Sequence, residues 1–318
     1  MRRLRLGTRG SLLARTQSAA VASALERASG RPVELVEIRT RGDRIQNRPL
    51  VEIGGMGLFT REVDEALLDG EVDFAVHSLK DLPTVLPEGI MLGAVPERED
   101  PRDVLVLPAG AEGGLDDLPG GARVGTGSQR RRALALAHRP DLEVRGIRGN
   151  LDTRIGKVDA GEYAAILLAA AGLRRMGWTR RASQHLDAAS WLPAPGQGAL
   201  AVVARRSDEA TLALLRLLDH PPSRSATEAE RTILHALGAG CQLPVGALGL
   251  PFGGGMRLRA MVASPDGRRM IRASATGAQD DARALGERVA AELISMGAES
   301  ILAGGPAPKA ARPIASDV

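Results

Sequence analysis

The sequence predicts an α/β protein with two lobes around a cleft, followed by a smaller α+β domain. Short apolar strand signals alternate with helical ones from Leu4 to about residue 218, the pattern that calls for mostly parallel sheets. P-E-R-E-D-P-R-D at 96–103 and P-A-P-G-Q-G at 193–198 interrupt the alternation and read as crossings between lobes. Beyond residue 218 the order changes to helices, then three strands, then a closing helix.

Taken in order, Leu4–Gly7 reads as a strand and Thr8–Ser11 as a turn. A helix follows, with Leu12, Leu13, Val21 and Leu25 at helical spacing and Ser11 as its N-cap. Val33–Ile38 is a second strand, and T-R-G-D-R at 40–44 is the loop after it. Gly54-Gly55-Met56-Gly57-Leu58 reads as a mobile lid feeding a helix from Phe59 to Leu68. Strands follow at 73–76 and 91–95. After the first crossing come strands near 104–107, 123–125, 142–145 and 164–168, with helices centred on 129–137, 150–158 and 169–176. A-L-A-V-V-A after the second crossing is one more strand. The last part gives helices at 208–218 and 225–237, strands at 245–249, 256–263 and 269–275, and a helix at 280–296. The Ala- and Pro-rich tail beyond Gly304 is expected to be disordered. No sequence repeat relates the two lobes.

Composition narrows the function. The 318 residues are 44% hydrophobic, ordinary for a globular chain, and no apolar run approaches the ~20 residues of a membrane span. The basic amino terminus lacks the apolar stretch of a signal peptide, giving the expectation of a cytoplasmic protein. One cysteine, Cys241, rules out an internal disulfide. The five histidines have neither H-x-H nor H-E-x-x-H spacing, so no metal site is expected. A net charge of +4 favours anionic partners. With 2% aromatics and no polybasic run, nucleic acid is a poor match and small polyanions a better one.

The chemistry gathers on V-D-F-A-V-H-S-L-K-D-L-P-T at 72–84, where an apolar strand runs into His77, Ser78, Lys80 and Asp81. Ligands in open α/β sheets bind beyond the carboxyl ends of strands, which makes this a site candidate. Only three of the 42 basic residues are lysines, at 80, 157 and 309, so a lysine kept beside Asp81 suggests a need for a compact ammonium. Arg9 stands at another strand end. In R-V-G-T-G-S-Q-R-R-R-A-L at 123–134, Ser128 is the expected N-cap, placing Arg130, Arg131 and Arg132 in the first helical turn. Cations there oppose the helix dipole at about 0.3–1 kcal/mol each, and an incoming anion would reverse the sign. G-I-R-G-N-L-D-T-R at 146–154 repeats the arrangement with Arg148 and Arg154, and A-G-L-R-R at 171–175 adds Arg175. A pocket for carboxylates or phosphates in the second lobe follows. Cys241, in the glycine-rich L-G-A-G-C-Q-L-P-V-G, reads as an accessible thiol able to act as nucleophile or attachment point.

With H-S-L-K-D-L-P, G-T-x-S-x-R-R, I-R-G-N-x-x-T-R, P-G-Q-G-A and G-x-G-C-Q-x-P in this order, the chain resembles the porphobilinogen deaminase (hydroxymethylbilane synthase) family from about Leu4 to Gly304. The resemblance implies two lobes like type II periplasmic binding proteins and a third domain carrying a cysteine. The expected boundaries are 1–96 with 197–218, then 97–196, then 219–304, with 305–318 as the tail. It implies that Cys241 holds a dipyrromethane cofactor through a thioether, primed to accept four porphobilinogen units, and that Asp81 is the catalytic carboxylate, helping ammonia leave and stabilising the azafulvenium. Lys80 either lowers the pKa of Asp81 or binds a substrate carboxylate. By motif match Arg9, Arg130, Arg131, Arg148, Arg154 and Arg175 would bind acetate and propionate groups, with Ser78, Thr126, Ser128 and Gln197 as hydrogen-bonding neighbours. Gly55, Met56 and Phe59 fall on the family's lid, where Met56 replaces its usual lysine and Phe59 remains to cover the cofactor. The expected partners are porphobilinogen and the growing polypyrrole, with no nucleic acid or membrane, in a monomer. A non-catalytic solute-binding protein would share the scaffold but leave Cys241 and Asp81 without a role. A phosphate-handling transferase would call for a P-loop, which is missing.

Overall fold

The computed structural model describes residues 2–40, 60–238 and 243–304. The first lobe is built from β1 (Leu4–Arg9), α1 (Leu12–Ser29), β2 (Val33–Ile38), α2 (Arg61–Leu68), β3 (Phe74–Ser78) and β4 (Ile90–Ala94). The second comprises β5 (Asp103–Val106), β6 (Arg123–Gly125), α3 (Gln129–His138), β7 (Glu143–Arg145), α4 (Leu151–Asp159), β8 (Ala165–Ala169), α5 (Ala170–Arg175) and β9 (Gln184–His185). The chain then returns to the first lobe as β10 (Leu200–Arg205) and α6 (Glu209–Leu215).

The first sheet has the order β2-β1-β3-β10-β4 and the second β7-β6-β8-β5-β9. Three parallel strands open each sheet, and the fourth runs antiparallel to its neighbours. That reversed strand is in each case the first strand after a crossing. The lobes therefore share a topology that no sequence repeat signals, and each sheet is less parallel than the alternation alone suggests.

Both sheets are covered on two faces. Phe74, Val76, Leu200, Val202 and Ala204 pack with Val21 and Leu25 of α1 and Leu212 and Leu215 of α6. The intervening Ala75, Ala201 and Val203 pack with Val63, Ala66 and Leu67 of α2, as period-two alternation requires. In the second lobe Leu105, Val124, Val144 and Leu167 face Leu134 of α3. Val104, Val106, Ile166 and Leu168 face Ile155 and Val158 of α4 and Leu173 of α5.

The third part is α7 (Pro221–Ala236), a meander of β11 (Val245–Phe252), β12 (Gly255–Ala263) and β13 (Met270–Ala278), then α8 (Ala282–Ser295) and α9 (Ala298–Leu302) around a core of its own. α7 starts four residues before the expected 225 because Pro221 occupies its first turn, where proline's missing N–H costs nothing. Among the described residues no helix is long and apolar enough to cross a membrane, and no cluster of side chains suits a metal ion.

The two crossings lie side by side. Glu99 N donates to Gly198 O at 3.2 Å, and a Cβ on Gly198, whose φ is +89°, would stand 2.3 Å from Glu99 O. Glycine is required there by both conformation and space.

Candidate active site

The parallel strands of both sheets deliver the functional side chains at their carboxyl ends. In the first lobe β1 ends on Arg9 and β3 ends on Ser78, which accepts from Gln17 Nε2 at 3.3 Å. A 3-10 turn, Leu79–Asp81, follows at once. His77 is buried against Asp64 of α2, with Nε2 3.6 Å from Oδ1. Burial and the charge of Arg9 push its pKa down to about 4, while burial raises that of Asp64 to about 6. Asp81 is exposed, and its carboxylate makes no hydrogen bond among the described residues.

In the second lobe β6 leads into Thr126, whose hydroxyl accepts from Ser128 N at 3.2 Å. Ser128 caps α3, its hydroxyl accepting from Arg131 N at 3.4 Å. Arg130 and Arg131 then turn inward, 2% and 6% exposed, and converge on Asp103, the fully buried first residue of β5. Arg130 Nη1 reaches Asp103 Oδ2 at 2.6 Å and Leu192 O at 2.8 Å. Arg131 donates to Asp103 Oδ1 through Nε and Nη2 at 3.0 and 2.8 Å, and to Leu167 O at 3.0 Å. Trp191 Nε1 and Gln197 Nε2 complete the set at 3.0 and 2.7 Å. Burial works to raise the Asp103 pKa, but the two guanidiniums outweigh it and hold the carboxyl well below its ordinary range. The anion that compensates these two arginines is thus the protein's own.

Gln197 joins this cluster to the first lobe. Its Oε1 accepts from Arg131 Nη2 at 3.3 Å and from Lys80 Nζ at 3.4 Å. Burial, then the charge of Arg131, pushes the Lys80 pKa down to about 8, against the opposing pull of Asp81 and Asp103.

Arg148 and Arg154 are differently placed. Arg148 is half-buried without a hydrogen bond among the described residues, and burial lowers its pKa. Among the described residues the Arg154 guanidinium bonds through Nε, to Gly149 O at 2.8 Å. Burial and the nearby charges of Arg131 and Arg148 push it down to about 10, with Asp81 the one group pulling it up. Arg175 donates to Gly198 O at 2.6 Å. Lys80, Asp81, Arg131, Arg148, Arg154 and Gln197 therefore share one electrostatic neighbourhood across the cleft. Arg9 and Ser78 stand along the first lobe's strand ends, and Thr126 and Ser128 at the second's. Cys241, Gly55, Met56 and Phe59 lie outside the described residues.

A family model described as the porphobilinogen deaminase dipyromethane cofactor binding domain matches residues 4–213, and one for that family's C-terminal domain matches 225–295. The chain belongs to the porphobilinogen deaminase family. A porphobilinogen deaminase of Acidothermus cellulolyticus is 52% identical over 303 residues, 94% of this chain and 91% of the relative. One from Syntrophobacter fumaroxidans is 48% identical, covering 94% and 96%. Among solved structures, an arginine-specific periplasmic binding protein of Salmonella typhimurium aligns at 14% identity and TM-score 0.41, over 68% of this chain and 91% of that one. The family's members are enzymes, which decides against the solute-binding reading.

Sequence reasoning missed four residues here. Asp103 closes the stretch that reads as the first crossing, although a carboxylate opening the apolar run D-V-L-V-L is a signal of a buried partner. Glu230, fully buried, lies in the apolar stripe of Ala226, Ile233 and Leu234 on α7. It accepts from Arg98 Nη1 and Nη2 at 2.6 and 3.1 Å, from Gly196 N at 2.7 Å and from Gly249 N at 2.8 Å. Arg98 Nε also reaches Gln197 O at 2.8 Å, so the third domain is tied to both crossings. The fourth is Arg231, the next residue of α7, which bonds to the loop carrying Asp81.

Proposed function

We propose that the enzyme joins four porphobilinogen molecules head to tail into hydroxymethylbilane, releasing one ammonia per unit, on a dipyrromethane held by Cys241 through a thioether. Each addition breaks the substrate's methylene C–N bond and forms a C–C bond, while one pyrrole α-proton is released. The observation that carries the reading is Asp81, exposed, its carboxylate free of hydrogen bonds among the described residues, beside Lys80 in one turn and within the field of Arg154 from the other lobe.

The donor set fits the cofactor and its product. Arg148 and Arg154 repel one another and retain donors unused among the described residues, so carboxylates of a pyrrole chain would relieve that repulsion. When bound, the dipyrromethane supplies a nucleophilic pyrrole carbon. Asp81 hands a proton to the leaving amine or, ionised, stabilises positive charge developing on the substrate's pyrrole nitrogen. Lys80, steadied by Gln197 Oε1, orients carboxylates beside it, whereas both amide donors of Gln197 are taken by Pro101 O and Asp103. Arg9, Arg175, Ser78, Thr126 and Ser128 supply further donors along the strand ends. Arg130 and Arg131 hold the cofactor-side wall in place through Asp103, and Arg131 extends its field toward the cleft. The enzyme is further read as a cytoplasmic monomer, working without nucleic acid or membrane, which gel filtration at 33.3 kDa would support.

Intact-protein mass spectrometry tests the priming. The purified full chain should exceed its sequence mass by one dipyrromethane, and Cys241→Ser should lose that increment. Asp81→Ala should keep the fold and stop turnover. An unmodified mass in active wild-type protein, or normal rates in Asp81→Ala, would overturn the corresponding part of the reading.

A further inference from the structure

The geometry points to Arg231 as the positioning residue for Asp81, acting from the third domain through the main chain of the turn. Arg231 Nη1 reaches Leu79 O at 3.4 Å and Leu82 O at 3.3 Å, and Nη2 reaches Pro83 O at 2.6 Å and Thr84 O at 3.2 Å. Those four carbonyls bracket Lys80 and Asp81. A planar fork with donors on both terminal nitrogens can hold four acceptors in one arrangement, which a single ammonium cannot.

The grip matters because the acid is placed by its main chain. With no hydrogen bond to its carboxylate among the described residues, Asp81 stands wherever its backbone puts it. That backbone is held at its start by Leu79 N donating to Ala199 O at 3.0 Å. On one side Gly196 presses close: a Cβ there would lie 3.3 Å from Lys80 N. The segment past Asp81 leaves the sheet: Leu82 packs its side chain into the core and donates back to Leu79 O at 3.2 Å, and Arg231 binds the carbonyls of Leu82, Pro83 and Thr84. The anchor is itself rigid, since the preceding Glu230 is fully buried and locked to Arg98, Gly196 and Gly249. From Arg231 the helix runs five more residues, about 7.5 Å of rise, and ends at Ala236.

The inference rests on the reading of Asp81 as the reacting carboxylate, and the test separates the two. Full-length Arg231→Lys, Arg231→Met and Asp81→Asn are compared with wild type for kcat, KM, thermal midpoint and cofactor mass. Misplacement of a reacting group by about 1 Å costs on the order of 100-fold, so both Arg231 variants should carry the cofactor and lose roughly 10- to 100-fold in kcat with little change in KM. Lysine should not rescue, because the fork and not the charge is required. Wild-type kcat in Arg231→Lys would overturn the positioning role, and so would loss of a folding transition in both variants, which would make the side chain a support of the fold. Normal turnover in Asp81→Asn would instead sink the reading of the acid.

Discussion

Replacing Asp103 by Asn keeps the shape of the side chain and removes the one anion under two buried guanidiniums. Oδ1 accepts three hydrogen bonds, two from Arg131 and one from Gln197, and Oδ2 accepts two, from Arg130 and Trp191. An amide has a single acceptor oxygen, so either orientation turns its NH2 toward at least two donors. Breaking a buried ion pair from one side costs about 3–5 kcal/mol. For a cooperative unit of 150–250 residues each kcal/mol moves the midpoint by about 2–4 °C, giving a fall of roughly 6–20 °C. The sign with pH follows from the depressed carboxyl. Its contribution is complete above the ordinary carboxylate pKa of about 4 and fades as pH falls toward the lower folded value. The gap between wild type and variant, followed by circular dichroism melts, should therefore be flat from pH 6 to 8 and close only in acid. A midpoint within about 2 °C of wild type at pH 7 would refute the assignment of Asp103 as the counterion that holds Arg130 and Arg131.

Arg148→Ala should raise KM by roughly 10- to 100-fold, the equivalent of one charge-assisted hydrogen bond. The thermal midpoint should hold or rise, because Arg154 loses a repelling neighbour; an unchanged KM would remove Arg148 from the substrate's path. Lys80, with a pKa of about 8, should be acylated by a water-soluble ester with a half-maximal rate near pH 8, read by peptide mass. A folded pKa below the unfolded ~10.4 also means that stability attributable to Lys80 rises with pH between those values. A labelling midpoint near 10 would contradict the pressure of Arg131 on it.

The fold was legible where local rules decide it. Ser11 and Ser128 cap their helices by the expected bonds, and Arg9 closes the first strand while Arg130, Arg131 and Arg154 fall in the first turns of the helices that follow β6 and β7. The insertion of β10 and β5 as reversed strands was not legible, because each pairs with partners that local pattern does not connect to it. The deeper failure concerns counterions. Arg130 and Arg131 violate the helix-dipole preference, and that anomaly rightly announces an anion nearby. Local sequence cannot say whether the anion belongs to a ligand or to the chain, since Asp103 sits 27 residues before Arg130 behind a proline. Three-dimensional structure separates the two cases: Arg130 and Arg131 meet an internal carboxylate, whereas Arg148 and Arg154 are left to repel one another and are the pair we propose for anionic substrate. The same distinction explains why the sequence draws attention to Asp81 and not to Arg231. An acid at a strand end advertises chemistry, whereas an arginine whose work is to hold four carbonyls looks, in one dimension, like any other arginine on a helix.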